Sequence, residues 1–188
     1  MSATTRQRWL DEGLVVLAEE GESGLRIDRL AARLGLTKGS FFHHFGGAAG
    51  YRSALLEAYE RLTLDAMATA IAARRDEGTR ATLAWLTYLA TDGGDSIRRA
   101  ELDLAVRAWA SSDAEARAVQ ARIDAAVIDA LQATWRPLVE SDAAARTAAL
   151  VPYLVSLGAA ATVPPISSQE LRGVYDLLLE AVPPARDA

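Results

Sequence analysis

The chain has no cysteine, which excludes disulfide staples and thiolate metal sites and leaves nothing that calls for an oxidising compartment. Histidine is nearly as scarce: there are two, His43 and His44, side by side. A Ser-His-type nucleophile needs a base beside a hydroxyl, and no such arrangement is available from this pair, so an enzyme is not expected. Adjacent helical residues point about 100° apart, whereas chelating pairs sit three or four residues apart, so no metal or other cofactor is expected either. Acidic residues such as Glu101 and Asp103 stand two apart and do not face one another on a helix. Long apolar runs are missing as well. The stretch from Ala148 to Val163 is interrupted by Pro152 and falls short of the roughly 20 residues that cross a bilayer. Met1 to Leu10 carries Ser2, Thr4, Thr5, Arg6 and Arg8 rather than the apolar core of a secretory signal. A cytoplasmic protein with no membrane partner is expected.

What is present is ordinary globular material: 188 residues, 51% hydrophobic and 24% charged, enough for one domain or two small ones. The net charge of −5 argues against a nucleic-acid partner, because affinity for DNA comes largely from neutralising phosphates. The distribution argues the other way. Arg26, Arg29, Arg33, Lys38 and Arg52 stand against one acid, Asp28, between positions 26 and 52, while the rest of the chain carries 15 basic and 24 acidic residues. Any positive face belongs to this segment.

Apolar residues recur at helical spacing almost everywhere, and no run alternates with period two, so the fold class is all-α. Leu10, Leu14 and Leu17 predict a first helix over about 4–20, stopped by Gly21 and Gly24. Two short helices follow, Ile27 to Leu34 and Lys38 to Phe45. A long helix is expected from Ala49 to Arg75, then further helices at about 79–91, 96–110, 113–135, 142–161 and 168–182. Asp92, Gly93 and Gly94, the serines 111 and 112, Pro137, and Pro164 with Pro165 separate them. Pro152 is expected to bend the helix that contains it.

The joint Gly35-Leu36-Thr37 carries the functional reading. Gly35 takes the left-handed conformation that ends a helix, and Thr37 caps the next through its side-chain oxygen. Two short helices joined this way, over about 27–44, form a helix-turn-helix whose second member enters the major groove of DNA. Ile27, Leu30, Ala31 and Leu34 form one apolar stripe and Phe41 with Phe45 the other. That leaves Lys38, Ser40, His43 and His44 outward, at a helix N-terminus that favours anions. Gly39 adds no side chain and permits close backbone approach. Lys38 and Ser40 are the expected base readers, since lysine pairs with guanine O6 and N7 and serine with several base edges.

The run from Leu25 to Phe45, with Leu30-Ala31, then Gly35-Leu36-Thr37-Lys38-Gly39-Ser40, then the aromatic and histidine cluster Phe41 to Phe45, resembles the DNA-binding segment of TetR-type bacterial regulators. The motif similarity covers about Thr4 to Leu62. By that resemblance Thr37, Lys38, Ser40, His43 and His44 match positions that contact phosphates or base edges, and Leu30, Ala31, Leu34, Phe41 and Phe45 match the core. Two departures stand out. Phe42 replaces a tyrosine whose hydroxyl reaches a phosphate, and Gly46-Gly47-Ala48-Ala49-Gly50 lacks the helix cap and lysine usual at the start of the long helix. Arg52, one turn later, is the candidate to replace the lysine's charge, and Arg26 or Arg6 the candidates to add others.

The resemblance further implies two domains: a three-helix helix-turn-helix DNA-binding domain at 1–48 and a helical effector-binding and dimerisation domain at 49–188. It implies a pocket for a small, mostly apolar effector, for which Trp85, Tyr88, Leu102, Val106, Trp109, Trp135 and Tyr153 are the candidates, although core packing accounts for aromatics at this spacing equally well. In the last two helices Leu150, Leu154, Leu157, Gly158, Leu171, Val174, Tyr175 and Leu178 exceed a single apolar stripe, and a homodimer through these helices would bury the surplus. The expected function is a sequence-specific regulator on a near-palindromic operator in double-stranded DNA, a repressor released by its ligand. The alternative is a helical dimerisation or adaptor protein that keeps the fold without DNA binding.

Overall fold

The structure is a computed structural model that describes residues 4–91 and 99–182. Among these residues there are nine α-helices and no strand. Helix α1, Thr5–Glu20, starts where Thr4 accepts a hydrogen bond from the Gln7 amide and buries Trp9, Leu10, Gly13, Leu14, Val16 and Leu17 on one face. Helices α2, Ile27–Leu34, and α3, Lys38–Phe45, follow. Gly35 between them is left-handed, with φ 63° and ψ 32°, as the turn requires. The Thr37 hydroxyl accepts from the Ser40 amide at 3.2 Å and caps α3. Helix α4 spans Ala48–Ala72 and ends three residues earlier than expected, because Arg75–Glu77 closes as a 3₁₀ turn. Helices α5, Thr79–Thr91, α6, Ala100–Ala110, α7, Ala114–Trp135, α8, Asp142–Ala161, and α9, Ser168–Glu180, complete the chain. The expected break at Asp92 to Gly94 and the start of a helix at Ser96 lie outside the described residues.

Packing divides the chain into two compact units, Met1–Leu62 with Ala100–Arg122, and Thr63–Arg99 with Ile123–Ala188. The boundary expected between 48 and 49 falls inside the first unit, because α6 packs on α1 and because polar bonds tie α4 to α6 and α7. Tyr59 donates to Asp103 at 2.9 Å, and Arg122 grips both oxygens of Glu60 at 2.7 and 2.6 Å, which holds that carboxyl below its ordinary range.

The second unit is centred on buried Ala70, Leu86, Leu89, Leu131 and Ala149, with Trp85, Trp135 and Tyr153 packed around them. Helix α9 lies on α5, and the Arg80 guanidinium donates to the carbonyls of Leu179 and Val182 at the end of α9. Helix α8 runs through Pro152 unbroken for 20 residues, and Tyr175 donates to the Pro152 carbonyl at 3.2 Å. Among the described residues α8, 20 residues from Asp142 to Ala161, is long and apolar enough to cross a membrane by length and composition alone, a test that core helices of soluble bundles also pass.

Candidate nucleic-acid interface

Helix α3 is held from behind by an aromatic cluster. Phe41 is completely buried, and its ring centroid lies 5.2 Å from Trp9, 5.2 Å from Phe45 and 5.0 Å from Tyr51. Trp9 belongs to α1 and Tyr51 to α4, so two elements clamp one face of α3. Such offset and edge contacts add about 0.5–1.5 kcal/mol per pair beyond burial. The Tyr51 hydroxyl donates to the Trp9 carbonyl at 2.8 Å, and burial pushes its ionisation up, so it stays a donor. Close approach of α1 and α4 depends on Gly13, where a Cβ would fall 2.0 Å from the Tyr51 oxygen. Gly50, from the stretch that looked like a missing cap, is similarly constrained. A Cβ there would meet the Phe45 carbonyl at 2.2 Å, and Gly46, at φ 69°, ends α3. Sequence reading missed Trp9, Gly13 and Tyr51, because the contacts of α1 with α3 and α4 join residues dozens of positions apart along the chain.

The opposite face of α3 is open. The Lys38 side chain is 61% exposed and Phe42 is 52% exposed, His43 is exposed, and His44 and Ser40 are half-buried. A Cβ on Gly39 would touch nothing closer than the Thr37 hydroxyl at 3.7 Å. The His43 and His44 rings lie 5.1 Å apart, and no group of three or more ligating side chains is found among the described residues.

Folding changes the electrostatics read from the sequence. Arg29 makes two bonds to Glu20, at 2.5 and 2.8 Å; Arg33 pairs with Glu12 and, at 3.2 Å, with Glu19; Lys38 pairs with Asp28 at 2.5 Å. The arginines of α2 are thus met by carboxylates of α1, and Lys38 by Asp28 of α2. Arg26 has no ion pair among the described residues. Arg52, a candidate phosphate ligand, instead bonds Glu22 at 3.0 Å and Asp113 at 3.3 Å and lies over the Trp109 ring. Asp113 also accepts from the Ala116 amide at the start of α7, and these bonds, the backbone one foremost, hold its carboxyl below the ordinary range. Arg52 therefore fastens α4 to the α6–α7 corner. The remaining pairs lie at or near the surface, where such pairs contribute little and are screened by salt.

The effector candidates separate between the two units. Leu102, Val106 and Trp109 are buried on α6 in the first; Trp85, Tyr88, Trp135 and Tyr153 belong to the second. Trp85 stacks on Tyr88 with centroids 5.4 Å apart, and the indole nitrogens of Trp85 and Trp135 are buried without a hydrogen-bond partner. Of the interface candidates, Leu154 is 58% exposed, Val174 and Gly158 are exposed, and Leu150, Leu157 and Leu178 are half-buried. Leu171 and Tyr175 are instead buried within the chain, packed with Ala159, because α9 turns that side toward α5 and α8. Val151 and Leu177, exposed on the same two helices, join the open apolar surface.

Residues 10–50 match the family model of bacterial regulatory proteins, tetR family, in agreement with the resemblance carried by Leu25 to Phe45. No curated protein matches the sequence. Among solved structures, the chain is similar to a TetR transcriptional regulator from Legionella pneumophila, with TM-score 0.79 and 11% identity over 96% of this chain and 98% of that one. It is similar also to E. coli NemR in its reduced form, with TM-score 0.78 and 18% identity over 98% and 100%. A third is the multidrug binding protein EbrR complexed with malachite green, with TM-score 0.64 and 23% identity over 94% and 98%. At these identities the likeness is one of fold: a helix-turn-helix head followed by a helical body.

Proposed function

We propose that this chain, whose N-terminal segment is that of a TetR-family regulator, is a sequence-specific DNA-binding transcriptional repressor that works as a homodimer in the cytoplasm and is released from its operator by a small, mostly apolar ligand. The observation that carries the reading is the two-sidedness of α3: Phe41 and Phe45 are buried among Trp9 and Tyr51, while Lys38, Gly39, Phe42 and His43 face solvent. A helix fixed on one side and open on the other is what insertion into a major groove requires. Thr37, Ser40 and His44 flank this face, and Arg26 adds a cation free to meet a phosphate. The DNA-binding domain is taken as 1–48 and the effector-binding and dimerisation domain as 49–188, a functional division distinct from the packing units.

Val151, Leu154 and Gly158 of α8 and Val174 and Leu177 of α9 offer an apolar surface to a second copy. Two heads so joined would read major-groove faces about 34–36 Å apart on a near-palindromic site. The Trp85 and Trp135 side chains, with indole donors unmet, suit the wall of a site for an apolar molecule bearing one acceptor. Because α4 and α7 contribute residues to both units, a ligand that shifts either in the second unit moves the head. Switching from 99% to 1% competent dimer requires a preference of about 5.5 kcal/mol for the released state.

The neutralised stripe favours one competing reading, an adaptor that retains the fold without binding DNA. Anisotropy titrations with the DNA upstream of the gene, repeated over a salt series, separate the two. The regulator shows a steep log-log slope, and Lys38→Ala relaxes its sequence preference; absence of binding at low salt establishes the adaptor.

A further inference from the structure

The ion pair between Asp28 and Lys38 is unlike the others around it. Arg29, Arg33 and Arg52 reach acids of α1, of the turn at Glu22–Gly24 and of the α6–α7 corner. Asp28 and Lys38 instead join the first turn of α2 to the first residue of α3, inside the helix-turn-helix itself. Both are open to solvent, with side chains 68% and 61% exposed, and the Lys38 Nζ lies 2.5 Å from an Asp28 carboxylate oxygen. A carboxylate on a surface that approaches phosphates weakens binding to every sequence unless it meets a donor there. The DNA major groove offers two, the adenine N6 and cytosine N4 amino groups. Beside adenine N6 lies the N7 acceptor, which repels the second carboxylate oxygen; beside cytosine N4 there is only a C–H.

We infer that Asp28 and Lys38 act together as the reader of one G·C base pair in each half-site. In that pair guanine O6 and cytosine N4 are themselves hydrogen-bonded, about 2.9 Å apart, a spacing close to that of the ion pair. Lys38 donates to guanine O6, Asp28 accepts from cytosine N4, and the two side chains remain in contact. The lysine thereby escorts the carboxylate past the phosphates, and neither charge enters the groove alone. This rests on the reading that α3 enters the groove, and it adds a specificity residue from α2 that the helix-turn-helix pattern did not single out.

The test is selection from a pool of randomised duplexes by the full-length wild type and by Asp28→Ala, Asp28→Asn and Lys38→Ala, followed by anisotropy titrations at one salt concentration. Melting curves verify that each variant is folded, as the exposed positions allow. Wild type should select a motif with an invariant G·C pair in each half-site, whose replacement weakens binding roughly 5- to 150-fold. Asp28→Ala and Lys38→Ala should both lose the preference at that same pair and keep the rest of the motif. Asp28→Asn should move the preference toward A·T, since an amide pairs with adenine N6 and N7. An unchanged motif for Asp28→Ala overturns the inference, as does a gain in affinity for all duplexes alike, which would make Asp28 only a decoy for Lys38. If the wild type selects no motif, the regulatory reading falls with it; a wild-type motif that Asp28 does not influence removes the inference alone.

Discussion

At the scale of single residues, two glycines do opposite work although both lie inside helices. Gly39 is surrounded by open space, so the fold does not need it, whereas Gly13 lies against the Tyr51 hydroxyl and admits no side chain. Gly39→Ala should accordingly stabilise the protein by up to about 1 kcal/mol through helix propensity. If the backbone there approaches DNA, the same change weakens operator binding; melting and anisotropy on one preparation measure both. A rise in melting temperature with undiminished affinity would count against the α3 docking geometry. Tyr51→Phe removes the buried bond to the Trp9 carbonyl and should cost about 0.5–1.5 kcal/mol, read as a lower denaturation midpoint with DNA affinity per folded molecule unchanged. The core role of Phe41 and Phe45 was legible in the sequence from their spacing of four. The roles of Trp9 and Tyr51 were not, because nothing local records which remote ring completes a cluster.

At the scale of elements, the helices were legible because their punctuation is chemical. Gly35 ends α2 and Thr37 caps α3 as read, and the structure adds Ser141 and Ser167 as caps of α8 and α9 and Gly46 as the end of α3. Which sides of the helices are covered was less legible. The residues of α9 exceed one apolar stripe, yet Leu171 and Tyr175 turn inward while Val174 and Leu177 stay exposed; periodicity fixes the stripes but not their partners. The open stripes give a direct expectation: Leu154→Asp combined with Leu177→Asp should leave each chain folded and shift the protein from dimer to monomer in sedimentation or light scattering. DNA affinity should fall with it, since each half-site would then be bound alone. A double variant that stays dimeric places the interface elsewhere.

At the scale of the whole molecule, the net charge of −5 and the positive segment are reconciled by pairing: carboxylates of α1 lie on the arginines of α2. Binding DNA then means exchanging carboxylates for phosphates, so Glu19→Gln with Glu20→Gln should raise affinity for all duplexes and leave the selected motif unchanged. Loss of binding in that variant would instead assign the pairs to holding α2 in place. The sequence by itself determined the helical class, the placing of most helices and the helix-turn-helix, because caps, turns and hydrophobic periods are local properties of the chain. Only the tertiary structure decided that Arg52 fastens α4 to the α6–α7 corner, that Asp28 accompanies Lys38, and that α3 is clamped by Trp9 and Tyr51. Ion pairs and aromatic contacts form between residues brought together by folding, and their energies depend on distances in space that spacing along the chain does not encode.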